Sequence, residues 1–210
     1  SAFIMGSLPL IINIRKKFPD FPIHLSTMGV ALNHHTVSFY KELNIKRVTL
    51  PRSLLLREIR SIVKNSPSTE FDTFILVGKC PNVEGFCSLL HTNPDKIWPC
   101  EQKYKLKGDR EIIKVQKGWQ GFYRSQSCGI CAIPELIKSG INSLKIVGRG
   151  SPPRFKIENL KMVKRAISII LDIKDKKERI QVLKELYRER FNHPCNPYCC
   201  YFPQVGFRSE

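Results

Sequence analysis

No stretch of this sequence is an unbroken apolar run of the roughly 18 to 20 residues needed to span a bilayer. The apolar opening, Phe3-Ile4-Met5 and then Leu8 to Ile12, has no basic segment ahead of it to make a secretory signal. A membrane association is therefore not expected, and an intracellular, cytoplasmic setting is. Acidic residues are scarce: 18 Asp and Glu stand against 35 Lys and Arg, a formal charge of +17 over 210 residues. Such an excess favours a polyanionic partner such as RNA, because basic side chains displace the counterions condensed on phosphates. The competing reading is a solvated cationic surface, since the basic residues are densest from Lys156 to Arg190, where helical charges face water. Also missing are an H-E-x-x-H zinc motif and any Ser or Cys nucleophile at readable spacing from a His and an acid, which counts against peptide hydrolysis by a familiar mechanism. Low-complexity runs are absent, as is any repeat of fixed period beyond a β-then-α unit.

What is present in abundance is cysteine. Eight cysteines in a chain without a secretory signal do not suggest a disulfide framework, because the cytosol keeps thiols reduced. Five of them, Cys80, Cys87, Cys100, Cys128 and Cys131, fall within about fifty residues, which fits ligation better than independent burial of small hydrophobes.

Before them the chain alternates. Strands are expected at 1–5, 22–26, 46–50 and 72–77, and helices at 9–17, 34–43 and 54–64, the last with Leu55, Ile59, Ile62 and Val63 on one face. Repeated β-then-α units imply a parallel sheet covered by helices. The alternation stops from 78 to 127, a Pro- and Gly-marked insertion within which residues 111–116 and 121–125 read as a hairpin. It resumes with a helix at 133–138, stopped by Gly140, and a strand at 143–147. Residues 1–150 thus form an α/β unit carrying the insertion, 151–192 two helices (155–173 and 176–190), and 193–210 a Cys- and Pro-rich tail. In that tail Cys195, Cys199 and Cys200 either pack as small apolar residues or bind a second metal.

Cys80 and Cys87 follow a buried strand, which places them at the carboxyl end of the sheet, where βα loops build sites. Four thiolates without histidine suit a 4Fe-4S cluster or a structural zinc. Zinc ribbons bring two tight C-x-x-C knuckles and only Cys128-x-x-Cys131 is present, so the uneven spacing favours iron-sulfur, with zinc the alternative. Lys145, Arg149 and Arg52 lie near strand ends and are candidates to ring the mouth of a site and hold a carboxylate or phosphate. His34 and His35 read as a surface pair at a helix start.

Asp72-Thr73-Phe74, Gly78-Lys79-Cys80 and then Gly85-Phe86-Cys87 resemble the acid-x-Phe and C-x4-G-x-C signature of the collagenase-like peptidase family thirty-two. The segments His24 to Thr27, Phe39 to Leu43 and Lys46 to Arg52 are similar to what precedes that signature in the family. Pro134-Glu135-Leu136 through Ser143-Leu144-Lys145-Ile146-Val147-Gly148-Arg149 is similar to its ending. The resemblance covers residues 1 to about 170. It implies a (β/α) barrel core, of which this chain would supply about five of eight strands, so that a second chain or an upstream segment would complete it. It further implies a 4Fe-4S cluster on Cys80, Cys87, Cys100 and Cys128, with Cys131 the other candidate for the last place. In the better-understood branches of the family such a cluster supports oxygen-independent hydroxylation of RNA bases or of a quinone precursor, with prephenate implicated as hydroxyl donor to RNA. Other members carry the older label of collagenase-type peptidase, and a metal-stabilised RNA-binding module is the non-enzymatic alternative. Met28 and Val147 depart from the family's Gln and Glu, which removes two polar groups from the expected mouth.

Overall fold

The computed structural model describes residues 2–80, 82–86, 106–107, 112–113, 125–148 and 150–207. The β-rich runs become five parallel strands, β1 (Phe3–Met5), β2 (Ile23–Leu25), β3 (Arg47–Thr49), β4 (Glu70–Leu76) and, after the insertion, a fifth at Ser143–Ile146, paired side by side in chain order. Between them run α1 (Leu8–Lys17), α2 (His34–Glu42), α3 (Leu56–Lys64) and α4 (Ile133–Lys138). In a parallel sheet whose strands neighbour one another in chain order, right-handed crossovers put every connecting helix on the same face.

The strand sequences agree with that one-sided cover. On β4 the alternate residues Phe71, Thr73 and Ile75 are buried toward the helices, joined by Ile23, Leu25 and Val48. Opposite them the helices bury Ile11, Val37, Tyr40, Leu56, Ile59, Ile62 and Leu136. Fully burying each large aliphatic or aromatic side chain contributes about 1.5–3 kcal/mol, so this layer is the main source of stability. Local signals set the helix ends. The Asn33 side chain accepts a hydrogen bond from the Thr36 amide at 2.9 Å, and Glu58 accepts one from the Leu55 amide at 2.7 Å, satisfying donors that the first turns of α2 and α3 leave open. α4 runs out at Ser139, just before Gly140, as the sequence predicts. His34 and His35 sit side by side at the start of α2.

The insertion contributes a two-strand antiparallel ladder, β5 (Leu106–Lys107) with β6 (Ile112–Ile113). β6 lies inside the expected 111–116 strand and pairs with β5; its expected partner at 121–125 lies, apart from Ser125, outside the described residues. The Ser143–Ile146 strand, now β7, completes the main sheet beside β4. Two longer helices follow, α5 (Pro153–Asp172) and α6 (Lys176–Phe191), the latter capped by the Asp175 carboxylate on the Glu178 amide. The chain ends in a single turn, α7 (Pro203–Gly206). Among the described residues no helix is long and apolar enough to cross a membrane.

Candidate functional site

The face of the sheet turned away from the helices is polar. In a parallel sheet, residues in register point to the same side, so the rows His24–Arg47–Glu70, Thr49–Asp72–Ser143 and Phe74–Lys145 lie together on this face. Asp72, only 4% exposed, is its hub. It accepts a 2.6 Å hydrogen bond from the Ser143 hydroxyl and lies 3.7 Å from the Lys145 ammonium and 3.9 Å from Arg47 Nε. Lys145 also donates to Thr49 Oγ1 at 3.1 Å, and Arg47 donates to Glu70 at 2.6 Å. Burial and the neighbouring Arg47 charge lower the pKa of His24, which keeps its imidazole neutral further into the acid range. The acid and the aromatic of the Asp72-x-Phe74 motif thus share one surface because they are two residues apart on a strand.

Of the three residues expected to hold an anion, two are brought together. The Arg52 guanidinium stacks 3.8 Å from the centre of the Phe74 ring, and the Lys145 ammonium lies 5.7 Å from the same ring. Arg149 lies outside the described residues. Arg52 is engaged as well: it forms an ion pair with the buried Glu84, whose other oxygen accepts from the Arg52 amide at 2.9 Å. Glu84 was not a candidate in the sequence, where an acid in a Pro- and Gly-rich insertion has no period to report its burial.

Two β-branched residues, Val77 (φ 51°) directly after β4 and Val30 (φ 55°) after the turn that follows β2, hold left-handed backbone conformations. The strain, on the order of 1–2 kcal/mol each, persists because neighbours over-determine the turns, and strain of this kind concentrates at functional sites. The glycines beside them are there by necessity. A Cβ on Gly78 (φ +79°) would meet Val147 Cγ2 at 2.6 Å, and one on Gly85 (φ +85°) would meet Val30 Cγ2 at 2.1 Å. Gly85 therefore lets the start of the insertion lie directly on the turn after β2, where Met28 is exposed. Val147, in place of the expected polar residue, packs against Gly78.

The cysteine segments meet at the end of β4. Residue 128 returns antiparallel beside Leu76, the Val77 amide donates to the Ser127 carbonyl at 2.6 Å, and the Lys79 amide donates to Ser127 Oγ at 2.9 Å. Cys80 and Cys128 each follow directly on a partner in that last bond. Cys87 and Cys100 lie outside the described residues. Cys128 is buried, and burial pushes its thiol well above the ordinary range, with Cys131, Cys200 and Cys199 close enough to add to the effect.

Those last neighbours come from the tail, and the sequence reading did not bring them here. The backbone of Cys128 is bound on its other side by the tail: its amide donates to Cys199 O at 2.9 Å, and its carbonyl accepts from the Tyr201 amide at 2.8 Å. The Tyr201 hydroxyl donates to Val77 O at 2.7 Å, and the Lys79 ammonium donates to Cys200 O at 2.6 Å. Five cysteines, Cys128, Cys131, Cys195, Cys199 and Cys200, therefore occupy one neighbourhood. Burial raises Cys131 to about 12 and Cys200 to about 11, while a hydrogen bond from Cys195 draws Cys199 down to about 6. Among the described residues no three Cys, His, Asp or Glu side chains already form a metal-holding group.

Several relatives are tRNA hydroxylation proteins. Protein P of Escherichia coli (strain K12) is 39% identical over 88 residues, 42% of this chain and 19% of that protein. Proteins P2 and P1 of Bacillus subtilis (strain 168) are 25% identical over 188 residues and 31% identical over 161 residues, covering 84% and 70% of this chain and 61% and 38% of theirs. The chain thus spans less than two thirds of the length of each of these relatives. No solved structure matches. The model of peptidase family U32 matches residues 1–204, nearly the whole sequence, strands, cysteine turns and tail together, and the chain belongs to that family.

Proposed function

We propose that this chain forms the substrate-facing and cluster-bearing part of a protein that hydroxylates a tRNA base without molecular oxygen. The observation that carries this reading is the meeting of Cys80 and Cys128 at the end of β4, beside a polar sheet face on which Arg52 and Lys145 flank Phe74. Relatives named tRNA hydroxylation proteins support the substrate class. In this reading the five-stranded sheet is an arc of a (β/α) barrel and its polar face lines the lumen, which is why that face carries charges where a two-sided sandwich would carry leucines.

Cys80 and Cys128, with Cys87 and Cys100, would hold a 4Fe-4S cluster, and thiolates without histidine or carboxylate suit that group. Bound there, such a cluster would supply one-electron chemistry. The protein's own groups do the rest. Lys145 presents an ammonium beside the aromatic face of Phe74, a combination suited to a phosphate or carboxylate next to a planar base. Asp72 holds Lys145 in place and balances part of its charge. The excess of 35 basic over 18 acidic residues draws the polyanion in from solution, so affinity for tRNA falls steeply with salt.

The test is mass spectrometry of tRNA nucleosides from cells lacking the full-length protein, complemented by the parent or by Cys80→Ala or Lys145→Ala. The expected result is loss of one hydroxylated nucleoside on deletion, restored by the parent alone, with iron and sulfide in the anaerobically purified parent. An unchanged nucleoside profile refutes the reading. Gelatin cleavage that survives loss of iron would transfer the assignment to peptide hydrolysis.

A further inference from the structure

The tail thiols have no part in the chemistry just described, yet they are neither scattered nor exposed. Cys199 is fully buried and Cys200 is 4% exposed, although the chain around them is rich in asparagine, proline and tyrosine. Cys200 borders a small cavity of about 10 Å3 together with Cys131, Cys195, Cys128, Leu183 and Lys184, among other residues. A space of that order takes about one small sphere. Its lining offers water little, since thiols are weak hydrogen-bonding groups and no carboxylate borders it. Cys199 lies just beside it, hydrogen-bonded to Cys195 and, through its sulfur, to the Asn196 carbonyl at 3.2 Å.

We propose that Cys131, Cys195, Cys199 and Cys200 form a second metal site, one that binds a single thiophilic divalent ion, Zn2+ being the chemical fit. Four thiolates are the donor set of a structural zinc, and the cavity has room for one ion rather than for a cubane cluster. Binding displaces the protons of those thiols that still carry them and leaves a centre of net charge −2. Two cations stand ready to offset it: Lys184 on the cavity wall, and Lys79, whose ammonium is already bound to the Cys200 carbonyl at 2.6 Å. The thiols do not yet converge, since no three of them form a metal-holding group, so loading requires several of these side chains to turn inward, with the Cys199–Asn196 hydrogen bond exchanged for the metal.

The site would tie the Ile130–Ala132 turn to the tail, more than sixty residues away in sequence, with α6 forming part of its wall. A metal there locks the tail that brackets Cys128 while leaving Cys128 to the cluster. The choice of Cys199 rather than Cys128, which also borders the cavity, rests on the hydroxylation reading, whereas the clustering of the tail thiols with Cys131 does not.

The experiment is metal analysis and Co2+ substitution on the full-length protein, purified anaerobically. One zinc per chain is expected. Exchange for Co2+ should give the intense visible and near-ultraviolet absorption of a tetrahedral tetrathiolate site. Cys195→Ser/Cys199→Ser should lose the zinc and keep any iron, whereas Cys128→Ser should keep the zinc. The Co2+ spectrum of the parent stands even if the double variant fails to fold. Absence of both zinc and the cobalt bands, or zinc retained by the double variant, overturns the proposal, as does zinc lost from Cys128→Ser. Iron missing from every form would count against the hydroxylation reading alone.

Discussion

Replacing Asp72 by Asn keeps the shape of the hub on the polar face and removes its charge. The amide oxygen can still accept from Ser143, so what changes is the environment of Lys145 and Arg47, 3.7 and 3.9 Å away. Removing one partner of a fully buried ion pair costs about 3–5 kcal/mol. Here the carboxylate is buried, but the Lys145 and Arg47 side chains are 26% and 30% exposed and the separations are long, so water takes up part of the loss. A destabilisation of about 2 kcal/mol follows. With a urea m-value of about 2–3 kcal/mol/M, the midpoint should fall by about 0.7 to 1 M at unchanged m. The double variant Asp72→Asn/Lys145→Met should recover part of the loss, because the stranded ammonium is gone, giving a coupling of about 1 kcal/mol. Asp72→Asn within about 0.5 kcal/mol of the parent, with no coupling to Lys145, would refute the idea that this face is an electrostatically organised surface.

Gly78→Ala should cost about 2–4 kcal/mol, from a left-handed backbone and a Cβ driven into Val147; thermal melting reads the loss, and iron content reads the displacement of Cys80. Tyr201→Phe removes the donor to the buried Val77 carbonyl and should cost about 1–2 kcal/mol, with faster amide exchange at Cys128 and Tyr201 as the tail loosens. The lowered pKa of His24 has a definite sign. The unfolded chain binds the proton more readily, so the contribution of His24 to stability is complete above about 6.5 and is lost as pH falls through the lower folded value. His24→Asn should therefore flatten the acid side of the stability profile relative to the parent, and parallel profiles would contradict the shift.

The order of strands and helices was legible in the sequence because it depends on local periodicity. α4 begins and ends where the 133–138 pattern and Gly140 put it, and β4 starts two residues before the expected 72–77 strand and ends one residue short of it. The place of Cys80 at the end of a strand was legible for the same reason, whereas the return of Cys128 beside Leu76 was not. The polar face could have been read too, from the alternation Arg47-x-Thr49, Glu70-x-Asp72-x-Phe74 and Ser143-x-Lys145, but only once it is known that all the helices cover the opposite side.

Glu84 and the tail carry no such local signal. An acid in an irregular segment becomes a buried partner of Arg52 only through the approach that Gly85 permits, and no period in the sequence marks it. Cys195, Cys199 and Cys200 lie about seventy residues from Cys128, and what joins them is a main-chain bridge between Cys128 and Cys200 with a tyrosine hydroxyl bound to Val77. The sequence by itself determined the alternating elements and the Cys80 thiol at the end of β4, since periodicity and turn chemistry are local. Only the tertiary structure decided which thiols are neighbours, because contacts between distant segments depend on how the elements pack and not on their spacing along the chain.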